Sequence, residues 1–346
     1  IEAVFTVDEE VGMDGAFALD CSDLKGRRLL NLDSEMEGVF TVSCAGGMRS
    51  DCFFPAALTP AEGMDVCKLT ISGLQGGHSG ADIHLGRGSA NRLMGRVLCA
   101  ALEKFPGLRL AAIDGGEFDN VICSRCEAAA ALPAGNGQAF AAFARELDAA
   151  LKNEYAVTDP GVALECVPSS ADRAVSPERT AVLLRALAVL PHGVEAMDTD
   201  FPGLVQTSLN MGVVRLDDAG LHVTFSIRSS IASRKEMLAQ RVRAAAELAG
   251  GTVTERGVYP GWQYRRDSQF RETLLAAYKD LTGKDGVVEA THGGLECGLF
   301  MEKLPGLDAV SLGPDILDIH SVRERLGVSS VARTYALVCE VLRRSV

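Results

Sequence analysis

The order helix–strand–strand–helix–strand runs twice between residues 42 and 258, and this recurrence limits the fold more than any other feature of the chain. In the first pass CKLTISGL reads as a strand and GSANRL opens an amphipathic helix. LRLAAIDGG and NVICSRCEAAAAL form a strand pair, NGQAFAAFARELDAALKNEY a helix and VALECVPS a strand. In the second pass PERTAVLLRALAVL is a helix, and LVQTSLNMGVVRL and GLHVTFSIRSS are strands joined by a turn at Asp217, Asp218 and Ala219. KEMLAQRVRAAAELAG and TVTERGV supply the last helix and strand. Two such units predict one broad antiparallel sheet covered by helices. Sequence identity between the passes is negligible, so pattern alone carries the repeat.

Both flanks have a different, α/β texture. Residues 1–41 read as strand (EAVFTV), loop, short helix (GAFALD) and strand (RRLLNLDSE). After residue 259 comes DSQFRETLLAAYKDLTG, a helix ended by Gly283. VVEATHGGLECGLFMEKL follows as strand, glycine loop and helix. LDAVSL, the polar loop GPDILDIHS and an amphipathic helix close the chain. The expectation is one α/β domain assembled from residues 1–41 and 259–346, interrupted by a middle domain of residues 42–258. A site would lie where the two face each other.

Composition narrows the partners. A net charge of −12, from Asp+Glu 46 against Lys+Arg 34, disfavours nucleic acid. Charges interrupt every long apolar run, as Arg185 does in TAVLLRALAVL, so no membrane span is expected. Several of the ten cysteines lie in apolar or alternating runs, among them Cys67 and Cys339, and the set reads as buried free thiols of a reducing, cytoplasmic compartment. Cys123 and Cys126 form a lone CSRC with no second pair to complete a zinc site.

Several residues could carry chemistry. Glu9 and Glu10 end the EAVFTV strand candidate, where broken alternation lets both turn toward one cavity. Asp33 ends the next strand candidate, and His320 precedes the last helix. These carboxylates and imidazole suit a divalent ion, with one glutamate ligating and its neighbour acting as base. A solvated acidic loop and a surface histidine explain the same residues. Glycines around His78 in GLQGGHSGADIHLGRGSANRL leave it sterically open. His84 is read as support for that loop, and the N–H groups of Gly88 and Ser89 as an anion site. Asn120 and Arg228 stand near strand ends where either could grip a substrate carboxylate. His192 and His222 read as structural, and Trp262 as packing at the return to the first domain.

Taken together, VDEEVGMDGAF, NLDSE, GLQGGHSGADIHLGRGSAN, IRSS, YPGW, HGGLECGLF and SLGPDILDIHS resemble the M20 metallopeptidases, in their aminoacyl-histidine (Xaa-His) dipeptidase branch. The resemblance implies a catalytic domain interrupted by a large α+β lid in a duplicated ferredoxin-like arrangement. It implies hydrolysis of short peptides by a metal-activated water, two divalent cations (zinc, with manganese or cobalt as substitutes), and a homodimer. Glu9 falls on the general base and His78 on the lid histidine that steadies the oxyanion. Glu10 and His320 fall on ligands of one ion and Asp33 on a ligand of the other. Asn120, Arg228, Gly293 and Gly294 fall on substrate-facing positions. The family also carries a His-x-Asp segment and a bridging aspartate ahead of the DEE motif, where this chain has only Ile1 to Val7. The expectation is a chain lacking that upstream part. Two rivals follow: a related aminoacylase or carboxypeptidase-like amidase, and a non-catalytic scaffold. Because the middle domain is doubled, His78 is expected to complete its own chain's site rather than a partner's.

Overall fold

The computed structural model describes residues 1–319 and 321–345, the side chain of Val11 excepted. Two sheets organise the chain as a mixed α/β fold. The smaller has the strand order Arg28–Asn31, Asp308–Ser311, Val39–Cys44, Val287–Thr291. Its outer pairs are parallel, and its centre is joined through the antiparallel pair Ser311 and Thr41. Helices Gln269–Thr282 and Val328–Arg344 bury their apolar stripes on it, packing Phe270, Leu274, Leu337 and Val341 against Phe40 and Val42. The first of these helices has the ends its sequence promised. Ser268 Oγ accepts the Arg271 N–H at 3.0 Å, and Gly283 terminates it with φ +71°.

The larger sheet is antiparallel throughout. Its order is Ala163–Ser169, Asp65–Ser72, Cys126–Leu132, Arg109–Gly115, Val205–Leu216, Gly220–Ser229, Gly46–Pro55, Thr252–Tyr259. A ninth strand, Gly193–Met197, pairs with Val205–Leu216. The helices Ala90–Lys104, Gly137–Glu154, Pro177–Val189 and Ala232–Leu248 share one apolar core with it. The sheet's two halves join at only two pairs, Val214 with Gly115 and Arg215 with Asp114. Across this seam the buried Asn91 amide donates to the carbonyls of Gly115, Met211 and Gly212 at 3.2, 3.2 and 3.0 Å.

The chain crosses between sheets at two adjacent places. Cys44 and Trp262 exchange backbone hydrogen bonds of 3.0 and 2.9 Å, and Trp262 is buried beside them, as its packing role required. A Cβ on Gly46 would stand 2.3 Å from the Gly261 nitrogen, so only glycine lets the crossings touch.

Three expectations need correction. EAVFTV forms no strand. Ile1, Phe5 and Val7 are exposed, and the segment is held instead by Glu2, whose carboxylate accepts the Lys25 and Gly26 N–H groups. Alternation becomes a strand only where a ladder forms, and the edge strand Arg28–Asn31 pairs with Asp308–Ser311 but not with this segment. Among the thiols, all of which are free, Cys339 is exposed rather than buried, because it lies on the outer face of the last helix. Finally, the Gly88 N–H is already taken by the buried Asp159 carboxylate at 2.8 Å, so it offers no anion site. Among the described residues, no helix is long and apolar enough to cross a membrane.

Candidate active site

The GGHSG loop is built around His78. Gly77 and His78 pair with Val121–Ile122, and the Ser79 N–H donates to the Asn120 carbonyl at 2.8 Å, setting Asn120 beside the histidine. Asn210 fastens the same segment by donating to the carbonyls of Asp119 and Val121, both at 2.8 Å. The glycines are sterically required: a Cβ on Gly77 would lie 2.6 Å from both Arg87 and Asp82 side chains. On the His78 ring, Nδ1 accepts the Ala81 N–H at 3.1 Å. A neutral imidazole accepting at Nδ1 carries its proton on Nε2. Partial desolvation, and then the Arg228 charge, lower the pKa of His78 against the opposing pull of Asp82. The loop therefore presents a neutral N–H donor.

Arg228 faces this donor. A Cβ on Gly80 would touch His78 Cε1 at 3.0 Å and Arg228 Cζ at 3.4 Å, so the glycine lets the two side chains close on each other. Arg228 Nη1 lies 3.4 Å from the Tyr259 hydroxyl, while its buried Nε has no acceptor among the described residues. Lys235 holds the Tyr259 turn by donating to that residue's carbonyl at 2.5 Å. Gly294 packs on the Tyr259 ring, with room for a Cβ only at 3.0 Å, and Gly293 accepts the Ala45 N–H at 2.9 Å through its carbonyl. Contacts thus run from His78 to Arg228, from Arg228 to Tyr259 and from Tyr259 to Gly294.

Sequence reasoning passed over one neighbour of these residues. His292, immediately before the two glycines, is 6% exposed and lies 2.8 Å by Nε2 from Ser208 Oγ. Burial, with Arg228, His78 and His84 nearby, pushes its pKa down to about 3. The available signal was the pair of glycines that follows it, as a pair of glycines precedes His78.

The carboxylates are arranged differently from a strand end. Glu9 and Glu10 open a 3-10 turn, Glu9–Val11, between Asp8 and Met13, which both hold left-handed backbone (φ 59° and 61°). Such positions cost on the order of 1–3 kcal/mol each and mark a turn held by its surroundings. Lys303 holds the end of the short helix that follows, Asp14–Ala18, donating to the carbonyls of Ala16, Phe17 and Leu19 at 2.7, 2.7 and 2.8 Å. Asp33 is exposed, and its charge, with that of Glu296, bears on the buried Cys297. His320 lies outside the described residues. Among the described residues no group of three or more His, Cys, Asp or Glu side chains could hold a metal ion. Glu10 and Asp33 alone do not fit the donor set a catalytic ion needs.

Residues 69–159 match the family described as the Peptidase dimerisation domain. The cytosol non-specific dipeptidase of Escherichia coli (strain K12) is 36% identical over 346 residues, covering 99% of this chain and 71% of that protein. The crystal structure of the aminoacylhistidine dipeptidase from Vibrio alginolyticus superposes with a TM-score of 0.91 at 35% identity, covering 98% of this chain and 69% of that one. The match in fold runs through both sheets, and the chain therefore belongs to the M20 family of metallopeptidases, as a relative of the aminoacylhistidine dipeptidases.

Proposed function

We propose that this chain carries the substrate-gripping and oxyanion-steadying part of a metal-dependent dipeptidase for short peptides, particularly those ending in histidine. The observation that carries the reading is the convergence of a neutral Nε2–H donor on His78 with the unpartnered Nε of Arg228. Arg228 and Asn120 would hold the substrate's carboxyl end, and Gly293 and Gly294 would leave room for its backbone. The His78 N–H would stabilise the developing oxyanion, a contribution of about 3 kcal/mol in comparable sites. Glu9 would take the proton of the attacking water and pass it to the leaving amine. Zinc, manganese or cobalt ions, two per site, are the proposed cofactors, with Glu10, Asp33 and His320 as the donors this chain contributes. Those residues do not make a complete set, and no step here depends on them.

The same reading takes residues 1–41 and 259–346 as catalytic domain and 42–258 as lid. In each half of the larger sheet the four strands, numbered in chain order, lie side by side as 4-1-3-2, which supports a duplicated ferredoxin-like arrangement. Nearness of His78 to Arg228 of its own chain supports action in cis, with homodimerisation through the segment matching the dimerisation domain. A cytoplasmic location is proposed on the free thiols.

The test is turnover of an Xaa-His dipeptide against an N-acyl amino acid, with added Zn²⁺ or Mn²⁺. With the set of ion ligands completed, the proposal expects dipeptide hydrolysis, abolished in Glu9→Gln with metal content unchanged. Preference for the N-acyl substrate would favour an amidase, and no turnover with any cation would favour a scaffold. Mixing His78→Ala with Glu9→Gln chains, once subunit exchange is verified, should restore nothing if His78 acts in cis.

A further inference from the structure

We infer that His292 is a further substrate-positioning residue, presenting an Nδ1–H beside Arg228 as a second donor to the substrate carboxylate. The inference rests on the peptidase reading above. Its starting point is Ser208, which is 2% exposed and whose hydroxyl meets His292 Nε2 at 2.8 Å. A buried hydroxyl must place its hydrogen on an acceptor or forfeit the cost of an unsatisfied donor. The imidazole nitrogen is the acceptor within reach. Ser208 therefore donates to Nε2, and a neutral ring accepting at Nε2 carries its proton on Nδ1. A neutral ring is what this setting enforces, since burial and then the Arg228 guanidinium oppose a positive charge there.

The sheet places Ser208, the partner of this ring, next to Arg228. Ser208 pairs directly with Arg228 across the antiparallel strands Val205–Leu216 and Gly220–Ser229, so both side chains rise from the same face. One of them holds His292, and the other keeps a buried, unpartnered Nε. A carboxylate can accept from several donors at once, and a fork plus an imidazole N–H satisfies both of its oxygens. The arrangement also joins the two layers: Ser208 belongs to the larger sheet, while His292 follows a strand of the smaller one. A ligand gripped here would be held by both.

The experiment uses the protein with its set of ion ligands completed and loaded, and three variants, His292→Asn, His292→Gln and Ser208→Ala. An asparagine amide nitrogen takes the place of Nδ1, whereas glutamine reaches toward Nε2. With an Xaa-His dipeptide, His292→Gln should raise KM about tenfold or more with kcat nearly unchanged, the loss expected for one hydrogen bond to a charged group. His292→Asn should restore most of that loss, and Ser208→Ala should fall between. The C-terminal amide of the same dipeptide should bind poorly to all four proteins alike. Equal losses on acid and amide would overturn the inference and leave the peptidase reading intact. Nitrogen-15 spectra of histidine-labelled protein measure the tautomer independently: an Nε2–H form of His292 overturns the inference. If the wild-type chain turns over no peptide, the functional reading falls. Titrating the labelled protein with dipeptide and amide then still decides, a His292 shift specific to the free acid being required.

Discussion

His292 makes the stability of this fold dependent on pH in a window where few other groups titrate. Its pKa in the folded chain is about 3, against about 6.5 for an unperturbed imidazole. The neutral form is the one the fold favours, so the stabilisation is fully present above about pH 6.5 and is lost as pH falls toward the folded value. Between those limits the unfolded chain binds the extra proton, and stability drops by about 1.4 kcal/mol per pH unit for each such group. From pH 7.5 to 5.0, allowing for partial protonation near 6.5, His292 should cost the fold about 2 kcal/mol. His192, whose Nδ1 accepts the Met211 N–H at 3.0 Å and whose pKa is pushed down to about 4, acts in the same direction. It contributes a similar amount over this range, because pH 5.0 still lies above its folded value. Urea unfolding at the two pH values measures the drop. The single tryptophan, Trp262, reports the smaller sheet by fluorescence, and far-UV dichroism reports the whole chain. His292→Asn should be less stable at pH 7.5 and should then lose about 2 kcal/mol less than wild type on acidification. A wild-type loss under about 0.5 kcal/mol, or an undiminished loss in the variant, would refute the assignment of a buried, neutral ring.

Lys303→Met removes a cation from three carbonyls at the end of the helix Asp14–Ala18, at a local cost of about 1–3 kcal/mol. Faster amide exchange over residues 8–19, with the strand Cys126–Leu132 unchanged, is the expected result. Burial pushes Cys44 up to about 11 and Cys52 to about 12, while Cys339 is exposed. A thiol reagent at neutral pH should therefore modify one cysteine quickly, and Cys339→Ser should abolish that fast phase.

Short-range chemistry is what a sequence makes legible. Ser268 and Gly283 bracket a helix wherever it packs, and an apolar stripe of period 3.6 finds a sheet whichever sheet it is. Strand character is less local. EAVFTV and CKLTISGL carry comparable signals, yet only the second lies between neighbours, Ala163–Ser169 and Cys126–Leu132, that complete its ladder. The strand Gly46–Pro55 was hidden by the opposite effect. It opens on two glycines, and a Cβ on Gly47 would lie 2.4 Å from the Tyr259 hydroxyl, so a residue far along the chain dictates the glycine. The candidate site divides the same way. His78 announces itself because the glycines that shape its loop are its neighbours in sequence. His292 carries a similar signature but takes its meaning from Ser208, 84 positions away, which sets its tautomer. Residue type shows that an imidazole can donate or accept, and only the partner chosen by the fold decides which nitrogen does either.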